Sequence, residues 1–290
     1  NPHAWFQSQR SAAELIDCSD RNRMIGYPYT KMLNSMIKVN QSAAVMLMSV
    51  AKAKSLGISR DKWVFLHGCA DANDVWNVSH RESFHSSPAM NTVAKSALSM
   101  ANRNIDDMAF FDIYSCFPSA VQIACDEFGI AHNDSRGLSL TGGLPYFGGP
   151  GNNYSMHGIV EIMNRARENE TEFGLLNANG WYLTKHSLGV YSCQEPDNEW
   201  NLSPLDLDVE PQIQLVEKAS GEAQMETFTV LYNKFNQPEK SIVIARLGSG
   251  ERCLATTDSN PQALNSLSGA EEFRLSGEIE FVDGKNMFRF

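Results

Sequence analysis

What this 290-residue chain lacks narrows its class first. No stretch approaches the ~18 consecutive apolar residues of a membrane span, and no secretory signal is recognisable. Cations are scarce. With 24 Lys and Arg against 34 Asp and Glu, the net charge is −10, which argues against non-specific nucleic-acid binding, since that needs clustered Lys and Arg. Cysteine pairs are missing too: the six cysteines, at 18, 69, 116, 125, 193 and 253, form no C-x-x-C and no zinc spacing. Scattered this way, they read as reduced thiols in a cytoplasmic protein with no metal. The chain opens on Asn1 rather than Met, so it is expected to be trimmed or a piece of something longer.

What remains is ordinary for a globular protein: 42% hydrophobic and 20% charged residues. A chain of this length buries roughly 70–75% of the surface its unfolded form exposes, and the length prior suggests about two domains. Residues 1–38 are irregular and read as a cap or loop. Val39–Met48 is a small-residue apolar run suited to a buried strand or helix, followed by a short helix with Ser49 as N-cap and Gly57 as its stop. Strands are expected at 62–67, 108–114, 173–180 and 181–192. Helices are expected from Ser87-Pro88 to Ala101, from Pro118 to Phe128 with Gly129 closing it, and from Gly151 to Arg167. Strands alternating with helices imply a sheet with helices on its faces. Residues 193–222 are acidic and contain Pro196, Pro204 and Pro211, as suits a linker. The pattern beyond is β, ending in two strands around Asp283-Gly284, a hairpin signal. A small barrel or sandwich is expected there.

Two segments carry chemistry. Asp112-Ile-Tyr-Ser-Cys-Phe-Pro118 places Cys116 beside a helix N-terminus, where the dipole and free N–H groups favour thiolate. On position alone Cys116 is either a reactive thiol or a small buried hydrophobe. Cys125 falls on an apolar helix face and reads as packing. Thr141-Gly-Gly-Leu-Pro-Tyr-Phe-Gly-Gly-Pro-Gly-Asn-Asn-Tyr154 is a glycine-rich loop running into a helix. It is neither a P-loop nor a dinucleotide fingerprint, because no Lys-Ser/Thr pair follows and the glycine spacing differs. Its glycines either let backbone approach a ligand or serve tight turns. His186 lies between strand-like segments and His157 about two turns into the following helix. Neither assembles into a Ser-His-Asp set.

Residues 39–192 resemble the C-terminal half of a thiolase. Gln41-Ser-Ala-Ala-Val-Met-Leu-Met-Ser49 with Ala53-Lys-Ser-Leu-Gly57 is similar to the stretch that closes the first thiolase half. Asp112–Phe117 stands at the N-E-A-F or H-D-C-F motif, Gly142–Pro150 matches G-G-x-x-x-x-G-H-P in spacing, and Lys185–Gly189 stands at C-x-G or H-N-x-G. The β-rich tail, Asn22–Lys31 and Gly149–Tyr154 resemble type-1 thiolase-like proteins, which add a C-terminal domain similar to an oligonucleotide-binding barrel.

The resemblance implies an α/β fold: a mixed sheet with helices on both faces over 39–200, preceded by a cap-domain remnant at 1–38. A small all-β barrel-like domain is implied over 201–290. It implies acyl transfer involving coenzyme A, by carbon–carbon bond formation or thiolysis, with no tightly bound cofactor and a coenzyme A thioester as substrate. Cys116 aligns with the H-D-C-F cysteine, His186 with the H-N-x-G histidine, and Tyr114 replaces the first residue of H-D-C-F. Gly148, Gly149, Gly151, Asn152 and His157 are the implied substrate-binding residues. Gly149 stands where G-H-P has its histidine, so no imidazole is available there. The nucleophilic cysteine of thiolases lies in the other half, so activity alone is expected to be weak or incomplete. A missing half or partner chain, or self-association, is expected to cover an apolar face. The alternative is a non-catalytic subunit that binds coenzyme A or an acyl chain.

Overall fold

The computed structural model describes residues 1–197, 200, 205, 212–270 and 274–290. In chain order these form α1 (Ala12–Ile16), β1 (Met24–Gly26), β2 (Tyr29–Thr30), α2 (Val50–Ser55), β3 (Phe65–Asn73), α3 (Pro88–Met100), β4 (Met108–Asp112), α4 (Pro118–Phe128), α5 (Tyr154–Glu168), β5 (Phe173–Gly180) and β6 (Lys185–Ser192). Then follow β7 (Gly221–Tyr232), β8 (Pro238–Leu247), β9 (Arg252–Ala255), α6 (Pro261–Ser268), β10 (Ser276–Val282) and β11 (Lys285–Arg289). They sort into two units. The first holds Asn1–Ser8, Ser35–Trp76 and Ser83–Val209; the second holds Gln9–Asn34, Asn77–Glu82 and Glu210–Phe290.

The first unit is built on a sheet in the order β3-β6-β5-β4. Its two outer pairings differ: β3 and β6 run antiparallel, as do β6 and β5, whereas β4 and β5 run parallel. Strand period explains the layers. Phe173 and Leu175 of β5, with Leu188 and Val190 of β6, join Met90, Val93 and Ala97 of α3 and Ile123 and Ala124 of α4 in one core. The alternate positions turn the other way, and Leu176 packs with Phe110 against Ile162 and Ala166 of α5. The sheet is therefore mixed and covered on both faces, as the sequence implied. Ser87 accepts from the Met90 amide at 3.2 Å and Pro88 opens α3. Helix α3 lies so close to β3 that a Cβ at Gly68 would collide with the Ala97 carbonyl oxygen.

The second unit is a closed five-stranded barrel. Strand β7 pairs with β8 and with β10, β8 pairs with β9, and β10 pairs with β11, all antiparallel. A parallel bridge between Thr256 and Met287 closes the ring. Its bonds are Phe288 N–H to Thr256 O at 2.8 Å and Thr256 N–H to Asn286 O at 3.0 Å. The Asn286 carboxamide adds donations to Leu254 O at 2.9 Å and Glu217 O at 3.0 Å, and accepts from the Ala219 amide at 3.0 Å. Numbered from β7, the strand order is 1-2-3-5-4-1 with α6 between the third and fourth strands, the topology of an oligonucleotide-binding-type barrel. Met225, Val230, Val243, Cys253, Leu264 and Phe288 fill it. The hairpin expected at Asp283-Gly284 forms there, with both residues at positive φ (50° and 79°).

Three sequence expectations are corrected. The apolar run Val39–Met48 is neither strand nor helix, and Met46 and Leu47 are 78% and 92% exposed. No strand of the sheet pairs with it among the described residues. The Asn153 carboxamide holds the backbone instead, donating to Ala43 O at 3.2 Å and accepting from Ala43 N–H at 2.8 Å. The strand expected over 181–192 starts only at Lys185, because Trp181 and Leu183 sit at positive φ in the turn after β5. Residues 1–38 are not one cap: Gln9–Asn34 belongs to the second unit, where Gly26 of β1 pairs with Leu231 of β7. The expected boundary at 200/201, with Pro204 and Pro211 of the acidic linker, falls largely outside the described residues.

Candidate functional site

Strand β4 ends at Asp112, and the chain runs through Tyr114 to a bend at Cys116 before α4 starts at Pro118. Phe117 is the N-cap residue and supplies no side-chain cap. The Cys116 Sγ accepts a hydrogen bond from Asn179 Nδ2 at 3.6 Å, and the Cys116 carbonyl accepts from Ser35 Oγ at 3.0 Å. Burial pushes this thiol up to about 11, against the pull of hydrogen bonds from the Phe117 and Cys116 backbone and from Asn179. The acidic cysteine expected at a helix N-terminus is therefore a neutral thiol, because desolvation outweighs the few donors reaching it. At neutral pH its thiolate fraction is smaller than that of a free cysteine by roughly 10²-fold or more. Iodoacetamide is accordingly expected to modify the exposed Cys18 and spare Cys116, which peptide mapping by mass spectrometry will read.

The register of β5 and β6 sets Asn179 opposite His186, so both side chains leave the same face. His186 Nε2 lies 3.0 Å from Asp74 Oδ2 and 3.2 Å from Ser87 Oγ. Among the described residues, His186 Nδ1 and Asn179 Oδ1 are buried with no hydrogen-bond partner. Tyr114, Gly151, Asn152, Ser155, Asn179 and His186 all line a cleft of about 300 Å³. Cys116 stands behind Asn179, one hydrogen bond from that wall. The Tyr114 ring meets Tyr154 edge-on at 5.2 Å, and burial, then the neighbouring Cys116, raises its hydroxyl above the usual range.

The other residues singled out from the sequence lie elsewhere. Gly148 and Gly149 are buried beneath Met36–Gln41. A Cβ at Gly148 would collide with Gln41 Oε1, and the Gly149 N–H already donates to Met36 O at 2.7 Å. That amide is committed and is no free donor for an oxyanion. His157 is one turn into α5 rather than two, and it is absent from the cleft wall. It lies two residues, about 200° of helix rotation, from Ser155, and its ring packs on Phe147 at 5.1 Å. The structure thus brings together Cys116, Tyr114, His186, Gly151 and Asn152 and leaves out Gly148, Gly149 and His157.

Sequence reasoning missed Asn179, Asp74, Ser87 as a partner of His186, and Asp112. Asp112 is buried, and its Oδ1 accepts from Ser139 Oγ (2.9 Å), Leu140 N–H (3.0 Å), Thr141 N–H (3.1 Å) and Thr141 Oγ1 (3.0 Å). It pins the start of the glycine-rich loop to the end of β4. Among the described residues no group of three or more His, Cys, Asp or Glu is arranged to hold a metal ion, and no helix is long and apolar enough to cross a membrane.

Known proteins share this fold. A family profile for the additional C-terminal domain of thiolase-like protein type 1 matches residues 204–283. The crystal structure of a monomeric SCP2-thiolase-like protein type 1 from Mycobacterium smegmatis superimposes with a TM-score of 0.89 at 37% identity, over 100% of this chain. The chain is thiolase-like. It spans 64% of the length of that mycobacterial structure. No curated protein matches it. In this thiolase-like chain a carboxamide, a phenol and a histidine stand at the cleft, with a protonated thiol one hydrogen bond behind the carboxamide, a set suited to moving a proton and hydrogen-bonding an oxyanion.

Proposed function

We propose that this chain supplies the proton-handling side of an acyl-CoA site that cleaves carbon–carbon bonds by thiolysis. The carrying observation is the Cys116–Asn179 hydrogen bond beside His186 at the cleft. In thiolysis a cysteine thiolate from outside this chain attacks the 3-keto carbonyl of the substrate. The C2–C3 bond breaks and its electron pair leaves on the thioester enolate. Cys116 S–H gives its proton to C2, and Asn179 and Tyr114 hydrogen-bond the oxygens that carry charge. The Cys116 thiolate then takes the proton of incoming coenzyme A, whose sulfur attacks the acyl-cysteine, so that the acyl group passes to coenzyme A and the first cysteine leaves as thiolate. A thiol pushed up to about 11 is protonated at neutral pH and so stands ready in the donor form that thiolysis needs. The nucleophile is assigned to the remainder of a longer protein or to a second chain, in line with the 64% span of the solved relative.

The test is acetoacetyl-CoA with free coenzyme A, given to the longest form of the protein containing this chain, with acetyl-CoA measured by chromatography. Turnover supports the reading. Tight binding of acetyl-CoA without turnover supports the second reading, a non-catalytic binding subunit, which Gly149 at the histidine position favours.

A further inference from the structure

Asp74, Ser87 and His186 meet deep in the first unit, where the first two side chains converge on one ring nitrogen of the third. Asp74 Oδ2 is 3.0 Å from His186 Nε2, Ser87 Oγ is 3.2 Å from the same atom, and Ser87 Oγ is 2.5 Å from Asp74 Oδ2. This is not a nucleophile triad, in which serine and aspartate would hold different ring nitrogens. The proton count has one solution for a neutral ring. A carboxylate only accepts. The single Ser87 hydroxyl proton goes to Asp74, and the Ser87 oxygen also accepts the Met90 amide of α3 at 3.2 Å. Both neighbours of Nε2 therefore present lone pairs, and the ring proton belongs on Nε2. Asp74 also accepts the Ala89 amide at 3.2 Å, so its position is fixed by the start of α3. Burial opposes its ionisation, but the hydrogen bonds from His186 and Ser87 prevail and hold the carboxyl below its usual range.

We infer that Asp74 and Ser87 are positioning residues that lock His186 in the Nε2–H tautomer and leave Nδ1 as a bare, buried acceptor. The observation that calls for a further donor is Nδ1 itself, buried on a histidine 2% exposed, with no partner among the described residues. A buried acceptor without a donor carries a desolvation cost, which a hydrogen-bond donor reaching it would remove. The inference rests on the proposed acyl-CoA reading for its use, while its geometry stands without it.

The experiment is long-range 15N–1H NMR of the full chain labelled with 15N-histidine. Seven histidines are present, and His186 is assigned by its loss in His186→Asn. In the unaltered protein at neutral pH, Nδ1 is expected at the downfield position of a bare imidazole nitrogen and Nε2 at the upfield position of a protonated one. A proton on Nδ1, or on both nitrogens, overturns the inference without any variant. In Asp74→Asn, where the carboxamide can turn a donor toward the ring, the two tautomers are expected to mix. An unchanged Nε2–H signal in a folded Asp74→Asn assigns the lock elsewhere. A locked tautomer in a protein that never cleaves acetoacetyl-CoA would sink the proposed function and leave this inference standing.

Discussion

Cys116→Ala is expected to lower acetoacetyl-CoA thiolysis by the parent protein about 10²–10⁴-fold, the usual loss when a general acid is removed. The leaving enolate must gain a proton at carbon, and the thiol is kept protonated by burial at about 11. Asn179 holds the sulfur in place through its 3.6 Å contact, so the proton is offered from one direction. Alanine removes the donor and only a small volume, so the fold should survive. Kinetics will separate the alternatives: kcat falls while acyl-CoA affinity stays within a few-fold. Equal turnover by the variant and the parent would remove Cys116 from the reaction.

The second large effect concerns Asp112. Asp112→Ala leaves four donors, from Ser139, Leu140 and Thr141, without their acceptor. At about 1–3 kcal/mol for each buried donor left unmade, with partial rescue by water, a loss of about 4 kcal/mol or more is expected. Thermal or urea unfolding of the first unit will show it. Asp112→Asn keeps an acceptor oxygen and should cost much less. The pH dependence has a definite sign. Burial, set against hydrogen bonds from Thr141, Ser139 and Leu140, holds this carboxyl above its ordinary 3.8. The folded state therefore keeps a proton that the unfolded chain has released, and stability falls as pH rises from about 4 through the folded pKa. That decline should vanish in Asp112→Asn. Glu226 in the second unit behaves oppositely. Burial raises it, but hydrogen bonds from Arg252 and Arg246 bring it below 4.5, so its contribution is present above that pH and lost as pH falls.

Local signals located most of the α/β unit. Ser87-Pro88 marked α3, Gly129 closed α4, and apolar runs found β4 and β5. Asp283-Gly284 set the last hairpin. What failed depended on partners distant in sequence. Val39–Met48 has the composition of a buried segment, yet burial requires a neighbour to pair with, which composition does not reveal. Cys116 has the address of an acidic thiol, but its charge state is decided by how much protein surrounds it. Asn179 sits in Asn177-Ala-Asn-Gly180, which resembles a turn. It shares the inward phase of Phe173 and Leu175, three and two steps of alternation earlier, and that phase is the available signal. Asp74 reaches His186 across 112 residues, and no motif spacing links them.

The Asn286 carboxamide has a wider role than its three bonds suggest. Two backbone amides alone would be a thin weld between β9 and β11, and this side chain rivets the joint from the inside. Roundness in this domain is therefore written into one residue's identity rather than spread along a ladder. Without the amide group the cylinder would relax toward an unrolled ribbon, whose two bare margins invite pairing with other molecules.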